Sequence, residues 1–243
     1  MGSLTLKAIG LEKSFGDAHI IKGIDLTCSQ GEITGLLGPN GAGKTTTFYM
    51  IVGLIKADKG NVYIGDKELT EMDLAKRANN GIGYLPQEAS VFRGLRVDEN
   101  IRVPLEAKGL KGDGLKKELD ALINGFGLQN VRKHKALSLS GGERRKLEIA
   151  RALALDPLYL LLDEPFAGID PITVKDLQSM IIDLKKRGIG VIITDHNVKE
   201  TLKICDRAYI IHHGVVIEQG DPLSVIKNEQ VQKIYVGNDF SLN

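Results

Sequence analysis

The stretch GPNGAGKTT, residues 38–46, is the part of the sequence whose residue types and spacing point most directly to chemistry. Its glycines let successive backbone N–H groups turn toward phosphate oxygens, and a following helix adds partial positive charge at its N-terminus. The spacing fits the G-x-x-x-x-G-K-[ST] pattern of a phosphate loop. The residues of this predicted cradle are Gly38, Pro39, Asn40, Gly41, Ala42, Gly43, Lys44, Thr45 and Thr46.

Three side chains of the loop have separate expected roles. Lys44 reaches the β- and γ-phosphates of a nucleotide, Thr45 places its hydroxyl on Mg²⁺, and Thr46 bonds a phosphate oxygen. A glycine-rich turn without a ligand is the alternative. The apolar strand EITGLLG before the loop and the helical run TTTFYMIVGLI after it favour the phosphate cradle.

A second chemical signal is the run LYLLLDEP, residues 158–165, which is typical of a buried strand that ends in two acids. Ligands of open α/β sheets bind outside the carboxyl ends of the strands. We predict that Asp163 is a Mg²⁺ ligand, because this ion prefers carboxylate oxygen beside phosphates. Glu164 is then placed to orient or deprotonate the attacking water. A pair of exposed acids without a catalytic part is the alternative, and the phosphate loop disfavours it.

Two further polar residues follow predicted strands in the same way. Gln87 comes after GIGYLP and is a candidate to hold Mg²⁺ or the water. His196 comes after GVIITD and is a candidate to contact the γ-phosphate and Glu164. A lone histidine is more often structural. Four polar side chains at the ends of neighbouring strands nevertheless favour one shared site.

The run SLSGGERRKLEIARAL, residues 138–153, raises a different question, because paired glycines begin a basic amphipathic helix. Glycine costs about 1 kcal/mol relative to alanine inside a helix. Ser140 can cap the helix, and Gly141 and Gly142 give a helix N-terminus with bare backbone that suits a γ-phosphate. The chain already has a phosphate cradle, so this second one is redundant unless it serves the nucleotide of another copy.

The pattern of elements that must position these residues is α/β. The first 35 residues suggest an antiparallel β region, and strands alternating with helices imply a mainly parallel sheet with crossover helices. The fold expected is a P-loop NTPase core of RecA-like type with an N-terminal antiparallel β region and an inserted helical subdomain. The expected division is a nucleotide-binding core at 1–87 and 156–225, a helical insert at 88–155, and a short helical or irregular tail at 226–243.

Composition narrows the classes of function. The chain has 243 residues and a net charge of +1, which argues against a general nucleic-acid surface. Apolar runs such as LYLLL fall far short of the roughly 20 residues that span a bilayer. No secretory signal is visible. Cys28 and Cys205 fit no metal spacing and are interpreted as buried free thiols in a reducing compartment.

These residues together resemble the ATP-binding cassette family. The shared features are GPNGAGKTT, Gln87, LSGGE at 139–143, LLLDEP, AGID at 167–170 and His196. The resemblance implies ATP with Mg²⁺ and a sandwich dimer in which Ser140 and Gly142 of one copy complete the site of the other. It also implies that Phe15 stacks on adenine and that Asp170 couples the two sites. By residue type alone, Phe15 is more often a core aromatic.

Within the family, the amino-acid sequence outside the shared motifs is similar to that of the ATPases of lipopolysaccharide export. Examples are GIGYLPQEASVFR, DEPFAGIDPITV, ITDHNVKETLKICDRAYI and the ending YVGNDF. This resemblance implies a homodimer on the cytoplasmic face of the inner membrane, beneath two integral membrane subunits. In the family, the region after Gln87 forms a groove for a helix of the membrane subunit. Phe92 and Arg93 suit such docking, with Val91 and Leu95 exposed beside them, and packing of Phe92 into the insert's own core is the alternative.

Two other functions are carried beside this one. The first is the ATPase subunit of a branched-chain amino-acid importer, which has the same enzyme activity and a different cargo. A soluble nucleotide-gated clamp on DNA or ribosomes belongs to a different class. The clamp is disfavoured because no sustained heptads lie between Lys44 and Ser140 and because the chain has one cassette. The presence of Glu164 disfavours a binding module without hydrolysis.

Overall fold

The computed structural model describes residues 4–235, so predictions about residues 1–3 and 236–243 lie outside the described part. Within these described residues, ten strands form a four-stranded sheet and a six-stranded sheet. The strands are β1 (Thr5–Phe15), β2 (Ala18–Ser29), β3 (Ile33–Leu37), β4 (Lys59–Ile64), β5 (Lys67–Glu68), β6 (Ile82–Leu85), β7 (Tyr159–Asp163), β8 (Gly190–Thr194), β9 (Arg207–His212) and β10 (Val215–Gly220).

Nine helices accompany these strands within residues 4–235. They are α1 (Lys44–Val52), α2 (Leu74–Asn79), α3 (Val97–Ala107), α4 (Gly112–Gly125), α5 (Gly141–Leu153), α6 (Pro171–Lys186), α7 (Val198–Leu202), α8 (Pro222–Lys227) and α9 (Glu229–Tyr235). Asp170 caps α6 with its side chain and Pro171 occupies the first turn, where a missing N–H costs nothing. None of these helices is long and apolar enough to cross a membrane.

The six-stranded sheet positions the chemical residues. Its spatial order is β10-β9-β3-β8-β7-β6, and every pair is parallel except the β9–β10 edge. The strands β3, β7 and β8 are buried at every residue, as expected for parallel strands covered on both faces. Their carboxyl ends therefore meet at one edge of the sheet. This architecture confirms the predicted α/β fold with a mainly parallel sheet.

The four-stranded sheet has the order β2-β1-β4-β5 and is antiparallel throughout. Its inner face, with Leu6, Leu26 and Val62, joins a core that includes Phe48 of α1 and Tyr209 of β9. The N-terminal β region is thus confirmed. It packs behind the phosphate loop and is part of the same core as the parallel sheet.

The helices α3, α4 and α5 lie within the stretch 88–155, in line with the expected helical character of that stretch. Their apolar residues Leu105, Ile123 and Leu147 pack in the same cluster as Leu160 of β7. The helical part therefore has no separate core, and its division from the rest as a subdomain stays a prediction.

The predicted end of the first helix is wrong for a local reason. The first helix ends at Val52, because Gly53 adopts a left-handed conformation that closes it, so it does not continue through Ile55. Strands β9 and β10 form a hairpin, since Gly214 with φ of 80° turns the chain between them. The expected tail from 226 begins within α8, where Ile226 packs with Val231 in a third apolar cluster, and its separation from the core stays a prediction.

Candidate nucleotide-binding and hydrolysis site

The phosphate loop joins β3 to α1, and packing behind it dictates two of its glycines. A Cβ at Gly38 would lie 2.3 Å from the carbonyl oxygen of Ile211, and one at Gly43 would lie 2.3 Å from Cδ1 of Ile21. Gly43 also has φ of 109°, a conformation that side chains rarely adopt. Strands β2 and β9 thus press on the loop from behind, and its shape is fixed by tertiary contacts.

Lys44 lies at the centre of the loop and is buried. Its Nζ donates to the carbonyl oxygens of Gly38 at 2.8 Å and Pro39 at 3.1 Å. Burial lowers the pKa of Lys44, while the charges of Glu164 and Asp163 act in the opposite direction. The ammonium has three donors, and the loop carbonyls accept from two of them. The group is held where an anionic oxygen in the cradle would meet it.

A cavity of about 490 Å³ opens above this loop. Its lining consists of Phe15, Ile20, Asn40, Gly41, Gly43, Lys44, Thr45, Thr46 and Glu164. Phe15 is 52% exposed, so its interpretation as a core aromatic is wrong. Its ring lies at the rim of the same cavity as the phosphate-loop hydroxyls. This arrangement suits a ligand with a flat apolar part and a phosphate chain, and stacking on adenine stays a prediction.

The side chains predicted to act on water converge on one oxygen. Nε2 of Gln87 donates to Oε2 of Glu164 at 2.8 Å, and Nδ1 of His196 lies 3.5 Å from the same oxygen. Glu164 has φ of 48°, a left-handed conformation that costs a non-glycine residue roughly 1–3 kcal/mol. The backbone holds it there, because its N–H donates to the carbonyl of Thr194 at 2.8 Å. The sheet edge thus stores strain at the predicted catalytic carboxylate.

Asp163, one residue earlier, is buried and fixed by two hydroxyls. Oγ1 of Thr194 donates to Oδ1 at 2.6 Å, and the phenol of Tyr84 donates to Oδ2 at 3.5 Å. Burial, together with the charge of Asp163, raises the pKa of Tyr84, so the phenol remains a neutral donor. Both carboxylate oxygens are therefore oriented by neighbouring strands.

Asp195 is a site residue that sequence reasoning missed. It is fully buried, and its carboxylate accepts from the backbone N–H of Phe166 at 2.9 Å and of Asn197 at 2.8 Å. It therefore ties the loop after β7, which contains Glu164, to the loop after β8, which contains His196. The sequence signal that could have identified Asp195 is its position directly before His196, at the end of the same predicted strand.

A second missed group is a buried ion pair on α5. Arg145 and Glu148 are both nearly inaccessible to solvent, and Nη1 of Arg145 lies 3.0 Å from Oε2 of Glu148. Arg145 also donates to the carbonyl oxygens of Pro86 and Asp163, each at 3.1 Å. Glu148 accepts from the backbone N–H of Ser90 at 2.8 Å. The pair thus joins the segment around Gln87, the end of β7 and the helix that begins at the paired glycines.

The paired glycines differ in their surroundings. Ser140 caps α5 in a reciprocal capping box with Glu143. A Cβ at Gly142 would lie 2.5 Å from Cγ2 of Thr173, so this glycine allows α5 to approach α6. Nothing lies within 4 Å of the corresponding position at Gly141. Packing within the chain therefore explains one glycine and leaves the other facing open space.

Two cavities meet at Glu164. The second, of about 220 Å³, is lined by Gly141 together with Gln87 and Glu164, whereas no residue of 139–143 lines the phosphate-loop cavity. Within residues 4–235 of a single chain, the glycine-led helix thus stands apart from the phosphate cradle. This separation is what a site completed by another copy would require.

The residues predicted to couple sites or dock partners are placed at the surface. Asp170 is exposed, and its carboxylate accepts from the backbone of Ile172 and Thr173 as the cap of α6. Phe92 is 45% exposed and Arg93 is exposed, but Val91 is buried, contrary to expectation. Leu95 is half-buried.

Phe92 is therefore not a core residue, and the guanidinium of Arg151 lies 4.5 Å from its ring centroid. This is close enough for a cation–π contact. Arg151 also donates to the carbonyl oxygen of Ser90 at 2.6 Å. The exposed ring is thus held in place by a cation that is anchored to the preceding backbone.

The fold and this site define an ATPase of the P-loop class. The model of the family described as ABC transporter matches residues 21–167. The chain belongs to the ATP-binding cassette family. A probable ABC transporter ATP-binding protein of Azorhizobium caulinodans is 53% identical over 98% of this chain and 85% of its own length. The lipopolysaccharide export system ATP-binding protein LptB of Haemophilus influenzae is 50% identical over 98% and 99%.

Solved cassettes share the whole fold. An ATP-binding cassette of an ABC transporter in its ADP conformation is 27% identical and aligns with a TM-score of 0.87, over 98% of this chain and all of the other. A dimeric cassette in a post-hydrolysis state bound to ADP and Pi aligns with a TM-score of 0.80 at 26% identity, over 89% and 98%. These matches confirm the predicted fold and the predicted ATPase class.

Proposed function

We propose that this chain is the ATPase subunit of a lipopolysaccharide exporter, acting as a homodimer on the cytoplasmic face of the inner membrane beneath two integral membrane subunits. The observation that supports lipopolysaccharide as the cargo is the 50% identity to LptB over nearly the full length of both chains. The relative from Azorhizobium caulinodans has no stated cargo, so the cargo requires a direct test.

In the proposed hydrolysis, Glu164 receives the proton of the attacking water as the water oxygen bonds to the γ-phosphorus. The bond from the γ-phosphorus to the β,γ-bridging oxygen breaks, and ADP and inorganic phosphate are the products. Gln87 and His196, which both approach Oε2 of Glu164, orient the carboxylate and the water. Lys44 stabilises the negative charge that develops on the transferring phosphoryl group. Because these groups are held by strand ends, they need little rearrangement when the nucleotide binds.

The donor chemistry at this edge of the sheet fits Mg²⁺. The hydroxyl of Thr45, the carboxylate of Asp163 and the side-chain amide of Gln87 supply oxygen, the ligand that this ion prefers. Bound Mg²⁺ would neutralise charge on the β- and γ-phosphates. Asp163 is suited to hold it because its two oxygens are already oriented by Thr194 and Tyr84.

The proposal also assigns the open glycine to a second copy. The N-terminus of α5, with Ser140, Gly141 and Gly142, would contact the γ-phosphate held by its twin, and Asp170 would sense that contact across the dimer. Two observations support this: open space around Gly141, and a dimeric cassette among the structural neighbours. Phe92 and Arg93 would contact the membrane subunits, in keeping with their exposure.

Mixing two inactive variants tests the shared site. Lys44→Ala removes the cradle's cation, and Ser140→Arg blocks the helix tip. In a mixed dimer, one site keeps both an intact cradle and an intact tip. Random pairing of equal amounts should therefore restore about a quarter of the sites. If each chain completes its own site, the mixture will hydrolyse no more ATP than either variant alone.

The cargo is tested by reconstitution in proteoliposomes with the membrane subunits that co-purify from a native extract. ATP-dependent release of lipopolysaccharide to a soluble acceptor is expected, with Glu164→Gln as the matched control that binds ATP without turnover. Recovery of an amino-acid permease in place of those subunits, with ATP-driven uptake of leucine, would overturn the export assignment and leave the ATPase assignment intact.

A further inference from the structure

Phe15 lies at the tip of the hairpin formed by β1 and β2, and this tip extends beyond the paired part of β4. Phe15 pairs with Ala18 of β2 across the two-residue turn at 16–17. On its other side, β1 pairs with β4 only as far as Glu12. The backbone that carries the aromatic ring therefore has a strand neighbour on one side alone.

Asp58, the residue directly before β4, takes the place of the missing strand neighbour. Its Oδ2 accepts from the backbone N–H of Ser14 at 2.7 Å, and its Oδ1 accepts from Nζ of Lys13 at 2.7 Å. Its own N–H donates to the carbonyl oxygen of Glu12 at 2.9 Å. The hydrogen bonds from Lys13 and Ser14 lower the pKa of Asp58 below its ordinary value. One residue thus holds three consecutive residues of the hairpin tip.

Lys13 connects this carboxylate to the aromatic ring. Its Nζ lies over the ring of Phe15, 5.6 Å from the centroid, within the distance of a cation–π contact. The side chain of Lys13 is only 16% exposed, so it is largely covered. Phe15 lines the cavity above the phosphate loop, whereas Lys13 does not. The ammonium therefore contacts the ring from outside the cavity and leaves the other face of the ring for a ligand.

Glu12, the acid next to Lys13 in the sequence, is engaged with other partners. Its Oε2 lies 3.0 Å from Nζ of Lys59 and 3.7 Å from Nε2 of His19. Within residues 4–235, Asp58 is the one carboxylate at ion-pair distance from Lys13. The pair of Lys13 and Asp58 is thus a separate unit, and its removal leaves the neighbouring ion pairs in place.

We propose that Lys13 and Asp58 are positioning residues for the nucleotide, because they hold the ring of Phe15 at the rim of the cavity for stacking on the base. The inference deepens the proposed function and rests on it, since it takes the base to lie on Phe15. A mobile aromatic side chain would lose rotamer freedom when the base binds, and that loss weakens affinity. A ring already held by a cation has less freedom to lose. Neither Lys13 nor Asp58 lines the cavity, so the effect should be confined to ligands with a base.

Calorimetric titration of the full chain with ADP and with inorganic pyrophosphate, each with Mg²⁺, tests this inference. Both ligands can occupy the phosphate loop, but only ADP has a base. Lys13→Met should weaken ADP binding about 2- to 10-fold, which is the ordering cost of one side chain, and should leave pyrophosphate binding unchanged. Asp58→Ala should weaken ADP binding at least as much, because it also releases the N–H of Ser14. Unchanged pyrophosphate binding shows at the same time that the variants fold.

Two variants are matched controls. Lys13→Arg keeps a cation that can pair with Asp58 and stack on the ring, so it should retain the ADP affinity of the wild type. Lys56→Met should also retain it. Lys56 and Glu71 form an ion pair of the same length, 2.7 Å, but they line a different cavity from Phe15.

A double-mutant cycle shows whether Lys13 acts through the ring. Phe15→Ala should itself weaken ADP binding, and adding Lys13→Met to it should have no further effect. Normal ADP binding by Phe15→Ala would exclude base stacking, and this inference with it, and would leave the ATPase assignment intact.

Three other results would overturn the inference. These are unchanged ADP binding in Lys13→Met, equal losses of ADP and pyrophosphate binding, or a further loss of ADP binding when Lys13→Met is added to Phe15→Ala. The titration contains no lipopolysaccharide, no membrane subunit and no ATP. The export and hydrolysis assignments therefore keep their own tests.

Discussion

Replacement of Arg145 by methionine tests whether the buried ion pair of α5 holds the site together. Methionine fills much of the same volume without the charge. The change removes the hydrogen bonds to the carbonyl oxygens of Pro86 and Asp163 and leaves Glu148 buried with a single donor, the N–H of Ser90. The substitution thus leaves the buried carboxylate of Glu148 without its cation and leaves two backbone carbonyl oxygens without the donor they have in the wild type.

The expected magnitude follows from the burial of both partners. Removing one member of a buried pair costs about 3–5 kcal/mol, because the other charge stays desolvated without compensation. For a domain of this size, about 1 kcal/mol corresponds to roughly 2–4 °C in Tm, so Arg145→Met should lower the Tm by roughly 6–20 °C. The double variant with Glu148→Met removes the stranded charge and should recover most of the loss.

Urea denaturation of the wild type, both single variants and the double variant measures these terms as a double-mutant cycle. ATP hydrolysis at saturating ATP should also fall in Arg145→Met, since the pair positions the backbone on either side of the catalytic groups. If Arg145→Met costs less than about 1 kcal/mol, or if the two single losses add in the double variant, the pair does not hold these segments and the reasoning fails.

Three more outcomes are expected. Gly142→Ala should lower the free energy of unfolding by about 1–3 kcal/mol, because the added Cβ would clash with Thr173. Gly141→Ala, which meets open space, should be neutral or slightly stabilising. Urea denaturation measures both values, and equal free energies of unfolding for the two variants would contradict this reasoning. Asp195→Asn should reduce the ATPase rate, because it weakens the hydrogen bonds that join the loops after β7 and β8. A fluorescent ATP analogue should still bind, since the phosphate loop is unchanged. An unchanged ATPase rate would exclude a positioning role for Asp195. Burial raises the pKa of Cys28 from 9.0 to about 12, so the stability that the neutral thiol contributes is complete below pH 9 and is lost as pH rises toward 12. Iodoacetamide at pH 8 should leave Cys28 unmodified until urea unfolds the chain, and mass spectrometry would reveal any contrary labelling.

The parts of the site that sequence could predict are those in which chemistry and local structure coincide. The phosphate loop combines a strand, a glycine-rich turn and a helix within a few residues, so spacing alone identifies it. Glu164, Gln87 and His196 each follow an apolar strand, and parallel strands bring their carboxyl ends to one edge. That rule predicts a shared edge of the sheet, and the structure adds that Gln87 and His196 approach the same oxygen of Glu164.

The parts that sequence could not predict depend on distant partners. Arg145 contacts carbonyl oxygens 18 and 59 residues away in the chain, and Asp195 bonds an N–H 29 residues away. Nothing in their own neighbourhoods distinguishes them from surface charges. Val91 is a related case. Its neighbours in the sequence are typical of an exposed loop, but in the structure its side chain packs in the core.

The order of strands in the parallel sheet has a consequence for synthesis on the ribosome. Strand β3, which leads into the phosphate loop, lies between β8 and β9, and Gly38 packs against Ile211 of β9. Both neighbours belong to the last third of the chain. The nascent polypeptide must therefore emerge past β8 before β3 has a first neighbour in this sheet, and past β9 before β3 is paired on both sides. The packing behind the phosphate loop at Gly38 is consequently completed only after the last third of the chain has been synthesised.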